Sequence, residues 1–98
     1  MAADNEIFFK LHNHLHELRQ QFGVGKIGIF GSYARNEQRP ESDIDLLVEF
    51  VHPVGFVQFM RLEAHLQDLL GKKVDLVTRK ALKPRMGKRI LAEVRYVQ

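Results

Sequence analysis

Residues 31–49 read G-S-Y-A-R-N-E-Q-R-P-E-S-D-I-D-L-L-V-E. A glycine–serine turn in this stretch precedes two aspartates that open an apolar run. Backbone amides at such a turn can hold a phosphate group, since Gly31 permits close approach to the main chain and the Ser32 hydroxyl adds a donor. Two carboxylates, Asp43 and Asp45, can hold a divalent cation beside it. The stretch therefore predicts metal-assisted chemistry on a nucleotide phosphate.

The two aspartates are separated by one apolar residue at the start of a predicted strand. Side chains two positions apart on a strand point the same way, and their backbones lie about 6.6 Å apart. From that separation Asp43 and Asp45 can share one metal ion or bridge two ions about 3.5–4 Å apart. Oxygen ligands favour Mg²⁺ or Mn²⁺ over zinc. Because adjacent like charges cost stability without a counter-ion, the pair predicts a bound cation.

A third aspartate, Asp75, interrupts the later apolar run 73–78. A lone strand aspartate is usually a surface residue on an edge strand. Beside Asp43 and Asp45 it is better interpreted as a third metal ligand or a base, provided that the two strands are neighbours. On the phosphate side, Arg35 or Arg39 can neutralise the charge of a triphosphate.

The remaining patterns predict an α/β (α+β) fold, a small mixed sheet flanked by helices. Apolar residues at helical spacing predict helices over residues 5–22, 56–70 and 85–94. Short apolar runs predict strands over residues 26–30, 44–50 and 73–78. Asp4 or Asn5 is expected to cap the first helix, and Gly71 to end the second. The second helix is expected to point six residues inward: Phe56, Phe59, Leu62, Leu66, Leu69 and Leu70.

Composition limits the class of protein. A chain of 98 residues predicts one domain, spanning 1–98, with no room for a second substrate-binding domain. The absence of cysteine excludes disulfides and thiolate metal sites. The acidic start lacks the layout of a signal peptide, and no apolar stretch approaches the roughly 18 residues of a membrane span. We therefore expect a cytoplasmic protein.

Charge is distributed unevenly along the chain. Residues 1–71 carry 6 Lys and Arg against 10 Asp and Glu, whereas residues 72–98 carry 9 against 2. The basic segment favours an acidic partner, a nucleotide or RNA, and a solvated basic face explains it equally well. RNA binding has the weaker support, because no aromatic residue between Lys72 and Arg95 offers a base-stacking platform.

His12 and His16 share a helix face and could bind a metal, but we favour a structural role.

The ordered set is an apolar strand, Gly-Ser, ten residues, Asp-x-Asp and a later strand aspartate. It resembles the minimal nucleotidyltransferases of the DNA polymerase beta-like superfamily. The resemblance covers nearly the whole chain, including the K-V-D-L-V run at 73–77 and the R-I-L-A-E-V ending at 89–94. The family usually has glycine where this chain has Asn36. Asparagine tolerates the left-handed conformation, so we expect the turn to persist.

This resemblance implies transfer of AMP from ATP to a hydroxyl acceptor, with release of pyrophosphate. It implies that Asp43 and Asp45 bind two Mg²⁺ (or Mn²⁺) ions, and that Asp75 completes one metal site and helps to activate the attacking hydroxyl. The residues implied to bind the nucleotide are Gly31, Ser32, Arg35 and Ser42.

The resemblance also implies a partner. Members of the family are often paired with a helical HEPN-type toxin and are similar to antitoxins that adenylylate a tyrosine of it. The alternative is a non-catalytic binding module that neutralises a partner protein by masking its surface. The sequence leaves open whether the chain forms a homo-oligomer or a hetero-oligomer.

Overall fold

The computed structural model describes residues 3–98, and side chains from Glu6 onward. Its helices are α1 (Ala3–Phe22), α2 (Phe56–Leu70) and α3 (Pro84–Glu93), with a 3-10 turn at Arg79–Ala81. Its strands are β1 (Val24–Phe30), β2 (Ile44–Phe50), β3 (Val74–Thr78) and β4 (Arg95–Tyr96). The predicted α/β class, a small mixed sheet flanked by helices, is confirmed. The predicted cap of α1 by Asp4 or Asn5 lies outside the described side chains.

The four strands form one sheet in the order β3-β2-β1-β4. Strands β2 and β3 run parallel, with α2 as the crossover between them, and β1 runs antiparallel to both β2 and β4. The starts of β2 and β3 therefore meet the end of β1. In this register Asp45 is paired with Asp75 on one side and with Phe30 on the other. Topology thus brings the Gly31 turn and two of the predicted aspartates to one end of the sheet.

The main core lies between one face of the sheet and the helices α1 and α2. Leu11 and Leu18 of α1 and Leu62 and Leu66 of α2 are completely buried there. A smaller cluster on the opposite face joins Phe30, Leu47 and Ile90, so that α3 covers part of the face that carries Asp45. None of the described helices is long and apolar enough to cross a membrane.

The prediction that Phe56 points inward is wrong, because its side chain is 77% exposed. It is the first residue of α2, and at 100° per residue it lies about 80° from the centre of the stripe formed by Leu62, Leu66 and Leu70. The other predicted inward residues are buried or half-buried. Gly71 ends α2 in the left-handed conformation, as expected.

Two elements were missing from the prediction: the 3-10 turn and β4. Strand β4 has only two residues, which pair with Gly28 and Ile29 of β1. A two-residue strand has no period to detect, so only its pairing partner reveals it. Strand β1 also begins two residues earlier than predicted, at Val24.

Candidate active site

The chain leaves β1 through a turn formed by residues 31–36, here called the phosphate turn. Gly31 opens it at φ 75° and Asn36 closes it at φ 59°, which confirms the expectation that asparagine supports this conformation. Three backbone hydrogen bonds brace it: Arg35 N–H donates to the Gly31 carbonyl (3.1 Å), Asn36 N–H to the Tyr33 carbonyl (3.4 Å) and Glu37 N–H to the Ser32 carbonyl (2.8 Å). The Tyr33 ring, 1% exposed, anchors the turn in the main core.

Three consecutive amides of the phosphate turn are unpaired. Within residues 3–98, the N–H groups of Ser32, Tyr33 and Ala34 have no hydrogen-bond acceptor. They correspond to the free N–H groups at the start of a helix, which form a natural anion site. The half-buried Ser32 side chain adds a hydroxyl donor beside them. The turn can therefore bind the phosphate groups that its sequence predicts.

The aspartates lie next to this turn. Asp45 is half-buried at the start of β2, Asp75 is exposed at the paired position of β3, and Asp43 is exposed just before β2. Gly31 packs so closely against Asp45 that an added Cβ atom would overlap the Asp45 carboxylate. Burial, and then the charges of Asp75 and Asp43, raise the pKa of Asp45 to about 6, with partial opposition from Arg35.

The case for a divalent cation at these aspartates rests on the chemistry of their side chains and not on a preformed metal position. Among the described residues, no three carboxylate or imidazole side chains converge on a single metal position in this conformation. The donors are nevertheless hard oxygen atoms, and the charges of Asp75 and Asp43 add to the burial that raises the pKa of Asp45. A hard divalent cation such as Mg²⁺ has the charge and the ligand preference that this cluster requires.

Glu93, at the end of α3, is the site residue that the sequence reasoning missed. Its carboxylate accepts a hydrogen bond from Gly31 N–H at 2.6 Å and contacts Arg35 Nη1 at 3.1 Å through both oxygens. Arg35 Nε also donates to Glu37 at 3.1 Å, and Glu37 and then Glu93 raise the pKa of the guanidinium. The available signal was that Glu93 and Asp75 are the only acids in the basic segment 72–98.

Ser42 and the two candidate arginines, Arg35 and Arg39, lie at different points of the segment between β1 and β2. The Ser42 hydroxyl oxygen accepts a hydrogen bond from Arg39 N–H at 2.9 Å, and Ser42 N–H donates to the Arg39 carbonyl at 2.9 Å. These contacts make Ser42 part of the turn before β2, where its hydroxyl can still donate a proton. Of the two candidate arginines, Arg35 is the one whose charge acts on Asp45 and whose partner Glu93 contacts the phosphate turn.

A groove of about 810 Å³ lies at the other end of β2 and β3. Its lining is mainly apolar and includes Val48, Phe50, Phe56 and Phe59. It contains none of the three aspartates and no residue of the phosphate turn. The candidate site is therefore recognised by its unpaired amides and clustered carboxylates and not by the shape of a cavity.

Replacing Asp45 with asparagine is expected to stabilise the metal-free protein at about pH 7.5, by on the order of 1 kcal/mol after discounting for solvent screening. The pKa of Asp45 is raised to about 6. The wild-type stability linked to this carboxyl is therefore present below its unfolded pKa of about 4 and is lost as the pH rises through about 6. Urea unfolding in EDTA at both ends of that range measures the difference. A variant that is less stable than wild type at the higher pH would contradict this expectation.

Comparison with known proteins agrees with this geometry. A family model described as Nucleotidyltransferase domain matches residues 11–97. Protein adenylyltransferase MntA of Thermococcus cleftensis is 47% identical over 97 residues, which cover 99% of this chain and 98% of the relative. A solved structure described as a minimal nucleotidyltransferase superposes with a TM-score of 0.79 at 34% identity and covers 92% of each chain.

A further solved structure contains a HEPN toxin of Shewanella oneidensis, tri-AMPylated, in complex with an MNT antitoxin. Its TM-score with this chain is 0.70 at 19% identity, and the match covers 97% of this chain and 71% of that one. At this identity the likeness shows a shared fold.

A turn with unpaired amides beside acidic strand starts, on a mixed α/β sheet, is the arrangement expected of a nucleotidyltransferase, an enzyme whose substrate is a nucleotide. This chain belongs to the nucleotidyltransferase domain family, in which its similar relatives include a minimal nucleotidyltransferase and a protein adenylyltransferase. The predicted family is thereby confirmed.

Proposed function

We propose that this chain is a protein adenylyltransferase that uses Mg²⁺ or Mn²⁺, transfers AMP from ATP to a tyrosine of a HEPN-type toxin, and so acts as its antitoxin. The observation that carries the proposal is the position of three unpaired amides, at Ser32, Tyr33 and Ala34, beside the Asp45–Asp75 pair. The 47% identical relative is itself named a protein adenylyltransferase, which supports this choice of reaction.

The phosphate turn holds the β- and γ-phosphates of ATP. Its unpaired amides and the Ser32 hydroxyl donate hydrogen bonds to phosphate oxygens, and Arg35 neutralises part of their charge. The α-phosphate is then placed toward Asp45, whose carboxylate lies against Gly31 at the start of this turn. Ser42 lies just before the aspartate pair and can donate from its hydroxyl to the nucleotide.

Asp43, Asp45 and Asp75 would hold two divalent cations. When bound, the ions neutralise the charge that develops on the transferred group and orient the attacking oxygen. A bond forms between the acceptor oxygen and the α-phosphorus, while the bond from that phosphorus to the bridging oxygen breaks and pyrophosphate leaves. Asp75 accepts the proton of the acceptor hydroxyl, a role that its exposed position at this end of β3 permits.

The acceptor hydroxyl comes from another molecule. Both tyrosines of this chain are held in its own structure: Tyr33 is 1% exposed, and the Tyr96 hydroxyl donates to Glu49 at 3.2 Å. The exposed basic residues of α3, among them Arg85, Lys88 and Arg89, lie on the element that ends at the phosphate turn and can contact an acidic partner surface.

The test is co-expression with a HEPN-type toxin, followed by incubation with ATP labelled at the α-phosphate and, separately, at the γ-phosphate. Adenylylation transfers only the α-label, and mass spectrometry is expected to place AMP on a tyrosine of the partner. Incorporation of the γ-label would indicate phosphorylation and contradict the proposal. Complete neutralisation of the partner with no label on it would favour the masking module instead.

A further inference from the structure

Glu93 occupies a position that helix electrostatics disfavours. It is the last residue of α3, where the negative end of the helix dipole repels a carboxylate. Its side chain is only 22% exposed, so water screens that repulsion incompletely. Other groups must compensate for the charge.

The groups that compensate for the charge of Glu93 belong to two residues of the phosphate turn, Gly31 and Arg35. Gly31 N–H, at the first residue of the turn, donates to Glu93 at 2.6 Å. Arg35 Nη1, four residues later, contacts both carboxylate oxygens at 3.1 Å. One carboxylate from α3 therefore bridges the first and the fifth residues of the turn.

These contacts leave the anion-binding groups available. Glu93 bonds Gly31 N–H, whereas the three unpaired amides belong to the following residues, Ser32, Tyr33 and Ala34. Arg35 is held at Nη1 by Glu93 and at Nε by Glu37, and its Nη2 has no hydrogen-bond partner within residues 3–98. A guanidinium held at two nitrogens loses less freedom when its third nitrogen binds a phosphate.

We propose that Glu93 is a positioning residue of the phosphate site, which fixes the amide of Gly31 and directs Arg35 Nη2 toward the triphosphate of the nucleotide. The inference rests on the proposed function, because it takes the phosphate turn as the triphosphate site. Glu93 itself does not contact the nucleotide and acts through Arg35 and the backbone of the turn.

The experiment measures the Kd of the full chain for MgATP by calorimetry, together with thermal unfolding. Glu93→Gln is expected to weaken MgATP binding about tenfold. The unfolding temperature is expected to change little, because glutamine still accepts the Gly31 hydrogen bond. Glu37→Gln is the matched control: it also removes one negative charge from Arg35, but the Glu37 side chain is 66% exposed whereas that of Glu93 is 22% exposed. A solvent-screened ion pair holds the guanidinium weakly, so this variant is expected to weaken binding less than about threefold.

A double-mutant cycle separates positioning from a general effect on the turn. In an Arg35→Gln background, Glu93→Gln is expected to cost MgATP affinity no more than about twofold, since the guanidinium that it directs is gone. Glu93→Asp keeps the charge but withdraws the carboxylate by one methylene group. It also withdraws from Gly31, so it is expected to weaken MgATP binding in both backgrounds, and more so when Arg35 is present. It replaces the glutamine variant should that variant be unstable.

Three outcomes would overturn the inference alone, with wild-type binding of MgATP intact. They are unchanged or tighter binding by Glu93→Gln, an equal loss with and without Arg35, and a loss that only parallels a lower unfolding temperature. Tighter binding would identify Glu93 as an internal competitor of phosphate. Failure of the wild-type chain to bind MgATP would overturn the proposed function as well.

Discussion

Replacing Asp43 and Asp45 together with alanine is expected to reduce AMP transfer at least about a thousandfold, a loss of several kcal/mol in transition-state stabilisation. In the proposed mechanism these carboxylates hold the ions that neutralise the charge on the transferred phosphate. The fold is expected to survive, because both side chains are at least partly exposed, and because their removal relieves the burial of a charge and the repulsion between carboxylates that together raise the pKa of Asp45. Transfer is measured by counting α-labelled AMP on the co-purified partner.

The matched control removes two acids from α1 and α2, the helices that pack on the face of the sheet opposite Asp45. Glu6 on α1 and Asp68 on α2 are exposed, so their replacement by alanine changes the net charge equally without touching the phosphate turn. That control is expected to keep transfer within about twofold of wild type. Undiminished transfer by the Asp43/Asp45 variant would refute the metal site. A variant that transfers nothing yet still neutralises the partner would establish the masking module.

Replacing Gly31 with alanine is expected to cost about 3 kcal/mol in the free energy of unfolding. Two effects add. The left-handed conformation at φ 75° disfavours any residue with a Cβ atom, and that atom would also overlap the Asp45 carboxylate. The displaced Asp45 would no longer align with Asp75, so AMP transfer is expected to fall with stability. Urea unfolding with an unchanged m-value provides the measurement.

Gly71 provides the control for the conformational part of this cost. Its φ is 69°, close to that of Gly31, but an added Cβ would meet no atom within 4 Å. Gly71→Ala is therefore expected to cost only about 1 kcal/mol. Equal losses for the two variants would mean that Asp45 can move away from Gly31 without cost. A clear excess for Gly31→Ala measures how firmly the fold holds Asp45 in place.

Local patterns in the sequence predicted most of the fold. The spacing of Leu11, Leu15 and Leu18 indicated a helix with one buried side, and the run around Leu46 indicated a strand. The errors occurred where tertiary contacts decide the outcome. Phe56 matched the apolar spacing of α2 but begins the helix outside its buried stripe, and β4 exists only because β1 offers it a partner.

In the candidate site, too, some features are visible in the local sequence and others depend on tertiary contacts. The Gly31-Ser32 turn, the Asp43–Asp45 pair and the later Asp75 could all be recognised in the chain, because main-chain flexibility and carboxylate chemistry are properties of single residues and short spacings. The position of Asp75 opposite Asp45 depends on the folded sheet, since parallel pairing joins residues 30 positions apart. The bridge that Glu93 forms between Gly31 and Arg35 depends on the folded chain as well, because a contact across 62 positions is set by where α3 packs and leaves no periodic signal in the chain.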